Sequence, residues 1–504
     1  MGQDMLTLSG LPNELLSLII EGLEDETNKR SGGPDIKTCR LVCRRFCDLS
    51  SRLLVRSVQV GHSFASLARL DTISRHPSIS RGVRAVEVVL SSYSGFKPCL
   101  EGKRNFINFQ LATLTKSVQL FEVGKIRNIS EKDAVILRKA HEVLSCWRYL
   151  IQEPRMQSPA QGDLALHRAL VDKAFQDFHR LAQEQKSIVS RGALGETVAS
   201  ALLRIPWVRR LEFYDTRPYG FQRRGLSWET GDTVFDGIYQ NILLPLTRRD
   251  LDARTFLPSA ETVDHVRLSE AIPQVLAAVG GTDRGELRSL DVDVDLIALN
   301  EVIRAIPDFQ QKVITATKKL TDLSIRQNKN WADRNHRESF LGLCCTSPDL
   351  RKYTVALETG TCAMSPLLAG PGTNEQRKNL TVIQVKGADI RVPQLKHFLD
   401  SIPSVLDRVE LVDVKLREGG WQEVLDLLRG KTYRESTDWP YPVRISEAIC
   451  PDPEHPLRQT FDKIFQSDAT WEVSDADAYV MRYSQVNPFA PEAGNFSLGS
   501  TVNW

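Results

Sequence analysis

A chain of 504 residues, 41% apolar and 25% charged, has the makeup of one that folds around a core, and its length allows one extended repeat domain or about two to four ordinary ones. Lys and Arg number 65 against 63 Asp and Glu, a balance that leaves no net field to draw in nucleic acid or an anionic membrane. Apolar runs stay short of the roughly 18 residues a membrane span needs, and nine cysteines without a secretory-type start read as reduced thiols, so the expected location is cytoplasmic and/or nuclear.

In chain order, the first predicted element is a helix over Leu11–Leu23 (LPNELLSLIIEGL), with Pro12 where a helix can begin because its missing N–H and fixed φ cost nothing there. At about 100° per residue, Leu11, Leu15, Leu16, Leu18, Ile19, Ile20 and Leu23 spread over an arc of about 200°, twice the width one core contact needs. Such a helix is expected to pack one side on its own domain and offer the other to a partner. A second helix is predicted from Ile36. Ile36, Cys39, Val42, Cys43, Phe46, Cys47 and Leu49 fall within about 160°, opposite Arg40, Arg44, Arg45 and Asp48, while Leu41 stands outside the apolar arc.

Leu11-Pro12-x-Glu14-Leu15 followed by Leu41-Val42-Cys43-Arg44-Arg45-Phe46 resembles the F-box, in the form common in fungal proteins. The likeness covers about 45 residues, and its inter-helix link, Glu24–Asp35 (EDETNKRSGGPD), is longer than the usual one, which fits a polar, Gly-rich bulge. The resemblance implies a three-helix domain that lays Leu11, Pro12, Leu15, Ile19, Leu41 and Val42 against a Skp-type adaptor, with Glu14 and Arg45 as polar support. Through the adaptor it implies a cullin, and so a substrate-recognition subunit of a Skp–cullin–F-box ubiquitin ligase with an unidentified protein target. The alternative is a non-degradative scaffold that uses the same domain.

Residues 51–60 pass from helical to alternating spacing, then a helix is predicted over 63–79, stopped by His76-Pro77, and a strand over Val83–Leu90. From here an apolar pattern recurs, with two residues and then one between its members. In a chain this apolar about 35 matches arise by chance, so only regular spacing with helical segments between carries weight. Val263/Val266/Leu268, Leu287/Leu290/Val292, Leu320/Leu323/Ile325, Leu350/Tyr353/Val355, Leu380/Ile383/Val385 and Leu406/Val409/Leu411 begin 24, 33, 30, 30 and 26 residues apart. Val83/Val86/Val88 and Val208/Leu211/Phe213 look like earlier members. Helical spacing fills 271–279, 297–317, 393–406 and 418–429. The unit Leu320-x-x-Leu323-x-Ile325-x-x-Asn328 is similar to the leucine-rich repeat, although Ala388 and Val414 stand at the Asn place in later units.

The expected class is therefore α/β: an N-terminal three-helix F-box followed by an irregular leucine-rich-repeat-like α/β solenoid with a helical insertion, an ordinary α/β domain being the alternative. Expected boundaries are 8–57 for the F-box, 58–100 for a first repeat-like unit, 101–205 for the insertion, 206–484 for the solenoid and 485–504 for a tail. In the insertion two helices are predicted, 130–152 and 163–188. The second carries the stripe Leu164, His167, Leu170, Val171, Ala174, Phe175, Phe178, Leu181 and Ala182. Loops are expected at 153–163, 215–233, 365–378 and 431–442.

No catalytic set, cofactor site or metal site is predicted. Cys39, Cys43 and Cys47 recur every four residues but fall on the apolar arc, where thiols are core. Gly430-Lys431-Thr432 lacks the first Gly of a phosphate loop, Leu425 standing in its place, and Gly370-Pro371-Gly372 reads as a turn. WVRRLEF (207–213) and FQRRGLSW (221–228) mix arginines with aromatics as nucleic-acid surfaces do, but the neutral balance favours solvated strand edges. Neither nucleic acid nor membrane is expected as a partner.

Overall fold

The computed structural model describes residues 11–23, 34–90, 102–125, 131–152, 162–214, 271–281, 287–294, 308–327, 343–357, 379–387, 389–400, 402, 406–432, 443–446, 474–482 and 484–489. Three short helices come first, α1 (Asn13–Gly22), α2 (Pro34–Val42) and α3 (Arg44–Ser51). Then follow β1 (Ser57–Gly61), α4 (Phe64–Arg75) and β2 (Ala85–Val89). Four helices, α5 (Lys103–Lys125), α6 (Glu131–Gln152), α7 (Gly162–Ser190) and α8 (Ala193–Arg204), lead to β3 (Arg210–Tyr214). Beyond lie α9 (Ala271–Gly280), β4 (Ser289–Asp293), α10 (Phe309–Thr317), β5 (Asp322–Gln327), β6 (Lys352–Leu357) and β7 (Val382–Lys386). The C-terminal part holds β8 (Asp389–Arg391), α11 (Val392–Asp400), β9 (Arg408–Val412), β10 (Lys415–Glu418), α12 (Trp421–Lys431), β11 (Val443–Ser446) and α13 (Asp475–Val480).

Nine of the strands form one parallel sheet in the order β1-β2-β3-β4-β5-β6-β7-β9-β11, while β8 and β10 pair separately, also in parallel. Each strand of the large sheet thus lies beside the next one along the chain. The fold is α/β, and the apolar triplets read from the sequence are its framework. Their middle members, Val86, Leu211, Leu290, Leu323, Tyr353, Ile383 and Val409, stand in register across the sheet, with Val58 completing the row at β1. Their last members form a second row, from Val60 through Val88, Phe213, Val292, Ile325, Val355 and Val385 to Leu411 and Ile445. Every residue in the two rows is buried. Because side chains alternate across a strand, the residue between the rows points to the other face, and there the sequence supplies Gln59, Glu87, Glu212, Asp291, Ser324, Thr354, Gln384, Glu410 and Arg444. Polar neighbours on this face bond sideways: the Thr354 hydroxyl donates to Gln384 Oε1 at 2.8 Å and the Gln384 amide to Glu410 Oε2 at 2.6 Å. Val263/Val266/Leu268 lies outside the described residues.

Helices cover the apolar face in the same order as the strands, α4 beside α8, α8 beside α9 and α9 beside α10. α4 starts where Ser63 Oγ accepts the Ser66 N–H at 3.1 Å and stops at His76, ahead of Pro77. α9 is apolar around most of its circumference because α8, α10 and the sheet enclose it. Close helix approach sets one residue choice: a Cβ at Gly280 would stand 1.8 Å from the Lys312 carbonyl oxygen of α10.

Several elements depart from the sequence reading. The helix predicted over 393–406 ends at Asp400, since Ile402 precedes Pro403 and a residue before proline is steered out of helical geometry. The described part of the 297–317 helix starts at Phe309, after Asp308 at φ 55°. The strands β8, β10 and β11 and the helix α5 were not anticipated. Helices α6 and α7 stand where their spacing placed them, and the buried members of the α7 stripe (His167, Val171, Ala174, Phe178 and Ala182) confirm its phase. With α5 they build a second core around Phe106, Phe109, Trp147 and Phe178. Loops expected at 153–163, 215–233, 365–378 and 431–442 fall almost wholly outside the described residues, as does Asn328.

At the far edge of the sheet the Ile445 N–H donates to Asp477 Oδ1 at 2.7 Å, from α13, which Ser474 caps. Burial pushes the Asp477 carboxyl up to about 7, against hydrogen bonds from Ser474 and Ile445 and the charge of Arg444. The native state therefore holds a proton that the unfolded chain releases near pH 4, and this group's contribution to stability falls as pH rises from about 4 to about 7.

Two predictions follow from these contacts. Asp477→Asn keeps an oxygen for the Ile445 N–H, so the difference between variant and parent in urea midpoint should grow in the variant's favour from pH 5 to pH 7.5; a constant difference would contradict the buried-acid account. Gly280→Ala should cost about 2–3 kcal/mol through backbone overlap, whereas Gly430→Ala, inside α12 with nothing within 4 Å of an added Cβ, should gain about 0.5–1 kcal/mol. Equilibrium unfolding of both variants checks this.

Candidate partner-binding surface

Helix α1 begins directly after Pro12, whose carbonyl accepts the Leu16 N–H at 3.1 Å. Its inward side is narrow. Leu16 and Ile20 are fully buried, and Ile20 joins Ile36 and Leu53 in a small core flanked by Phe46 and Leu49. Each such burial contributes about 1.5–3 kcal/mol. Apart from the half-buried Leu11, the rest of the 200° arc stays in solvent: Leu15 is 47% exposed, Leu18 63%, Ile19 45% and Leu23 40%.

The second predicted helix is two helices. At Cys43 the backbone turns extended (φ −162°, ψ 170°), so α2 ends at Val42 and α3 starts at Arg44, with the Cys47 N–H donating to the Cys43 carbonyl at 2.9 Å. The break changes the phase of the residues before it. Leu41 is 86% and Val42 63% exposed, and Cys43 is exposed rather than core, with Cys39 and Cys47 half-buried. The reading of all three thiols as core is thus corrected: a continuous helix would have carried Cys43 inward, and the extended residue turns it out.

Arg45 closes the bundle. Its Nε donates to Asn13 Oδ1 at 2.7 Å and its Nη2 to the Leu11 carbonyl, which ties α3 to the start of α1. Glu21 pairs with Arg52 at the other end. Leu11 is half-buried beneath this brace, while Pro12 and Glu14 are exposed. Of the residues named for partner contact, the structure therefore presents Pro12, Glu14, Leu15, Ile19, Leu41 and Val42 outward and uses Arg45 to fix α1. It adds Leu18 and Leu23, which the breadth of the apolar arc already marked.

Six of the eleven large apolar side chains exposed among the described residues belong to α1, its C-cap and the end of α2. Scattered exposed leucines are ordinary, but this concentration within one short bundle makes it the candidate interaction surface. The bundle is also held fast to the sheet: a Cβ at Gly82, just before β2, would stand 1.6 Å from the Arg52 carbonyl oxygen.

Among the described residues no three or more His, Cys, Asp or Glu are grouped to hold a metal ion, and no helix is long and apolar enough to cross a membrane. Cys344 is buried, and burial pushes its thiol well above the usual range. Gly430 and Lys431 form the last turn of α12, and Thr432 forms a bridge with Leu406. No family model matches the chain, and no curated protein matches it.

The burial contrast gives a prediction for stability. Leu16→Ala should destabilise the bundle by about 3 kcal/mol, and Leu41→Ser should change it by less than about 0.5 kcal/mol. Hydrogen exchange of the α1–α3 amides would distinguish the two, and equal effects would show that Leu41 is packed.

Proposed function

We propose that this chain is the substrate-recognition subunit of a Skp–cullin–F-box ubiquitin ligase. In this reading α1–α3 are the F-box, and the in-order parallel strands with their helices are a degenerate leucine-rich-repeat-like solenoid. One observation carries it: Leu15, Ile19, Leu41 and Val42 lie exposed on a bundle whose buried apolar side chains, among the described residues, are Leu16, Ile20, Ile36 and Leu53. Covering apolar surface of that kind yields about 25 cal/mol per Å², and a few fully buried side chains carry most of the energy of an interface.

The strand array supports the second half. One strand per unit, paired in chain order and lined by two continuous apolar rows, is the arrangement in which small units stack because none can bury its face alone. Val414 is fully buried where the repeat family has its Asn, which fits a degenerate array. The chain supplies position rather than chemistry: adaptor and cullin bring a charged ubiquitin close to a target held on the repeat region, and the gain is one of proximity. Work of this kind belongs in the cytoplasm or nucleus and requires no cofactor.

The test is co-purification of the full-length chain with a Skp-type adaptor. Pro12→Ala with Leu15→Asp should abolish retention of the adaptor while the circular-dichroism melting curve keeps its main transition. Undiminished retention would falsify this contact surface.

A further inference from the structure

The residue just before each strand is stacked on its neighbours by backbone hydrogen bonds. The Arg84 N–H donates to the Arg56 carbonyl at 2.7 Å, the Arg209 N–H to the Arg84 carbonyl at 3.1 Å, and the Arg288 N–H to the Arg209 carbonyl at 2.8 Å. Four consecutive rungs at this edge of the sheet are therefore arginines, about 4.8 Å apart. Thr321 follows, then Arg351. Arg84 and Arg209 are exposed, and among the described residues neither has a carboxylate partner; Arg288 has Asp349 at 4.0 Å. Partial burial, then the charges of Arg56, Arg209 and Arg52, push the Arg84 guanidinium below the usual arginine range. The arginine charges repel one another, a cost that a bound polyanion would reverse.

The shape of the row selects among anions. A straight file of three rung intervals spans about 14 Å, the reach of five residues of extended peptide, whose alternate side chains share one face. Guanidinium forks fit carboxylate and phosphate alike, and arginine clusters recognise acidic and phosphorylated segments. A single-stranded nucleic acid would instead need several free aromatic faces. Here Trp207 is the exposed ring beside the row, and Arg84 already lies over it at 5.9 Å from the ring centre.

We propose that the ladder Arg56–Arg84–Arg209–Arg288 docks an extended acidic or phosphorylated segment of a partner protein. The site is separate from the apolar surface of α1 and α2, and its test does not depend on any adaptor.

The experiment is fluorescence anisotropy on the full chain with three labelled peptides that carry aspartate, phosphoserine or serine at alternate positions, beside a short single-stranded RNA. The aspartate or phosphoserine peptide should bind and the serine peptide should not, with affinity falling as salt rises from about 50 mM. Binding by the phosphoserine peptide alone assigns phosphate, and binding by both assigns charge; either supports the proposal. Arg84→Gln with Arg209→Gln should weaken binding at least tenfold, and Arg84→Lys with Arg209→Lys, which keeps the charge without the fork, by several-fold less. Absence of peptide binding at low salt, affinity unchanged in the glutamine variant, or tighter binding of the RNA than of either anionic peptide would each overturn it.

Discussion

The structure depends on keeping two apolar rows in register across nine parallel strands. A slip of one residue in any strand would turn its buried members to the polar face, so each unit is held to the same phase as the last. Once that phase is fixed, much else becomes obligatory. The residue between the rows faces away from that core, and Gln, Glu, Asp, Ser and Thr stand there, the buried Glu87 among them held by the Ser57 and Tyr214 hydroxyls. The helices must lie along the other face in chain order, close enough that Gly280 admits no side chain. The residue ahead of each strand must stack on its predecessor, and the sequence puts arginine there four times running.

How much of this was legible depended on the length of each signal. The triplets were readable because they repeat, and repetition defeats chance where a single match cannot. In α7 the stripe from Leu164 to Ala182 runs for five turns and was equally clear. By contrast β8 and β10 span three and four residues, too short for a period to declare itself, and α5 mixes Phe106, Phe109 and Val118 with Asn105, Thr113 and Thr115, all weak helix formers. The break at Cys43 had no proline or glycine to announce it. Its only trace was Leu41, which sat outside the apolar arc of a continuous helix and is now the most exposed large apolar residue described.

The N-terminal bundle illustrates a limit of small cores. Ile20, Ile36 and Leu53 form its buried centre, less than a domain of independent stability requires. Its order is borrowed through Arg45 and the Glu21–Arg52 pair within the bundle, and through the tight seat of Gly82 on Arg52 at the first strands. A surface so supported can leave leucines in water without collapsing around them.

A sheet assembled by adding one strand after another has no intrinsic reason to stop. The last of its described strands, β11, has α13 packed beside it, where a bare rim would offer extended chain a place to grow. Asp477 occupies the Ile445 donor on that rim with a side chain, which no further strand can extend. Among the described residues, one carboxyl thus takes the place a further strand's carbonyl would fill at that position.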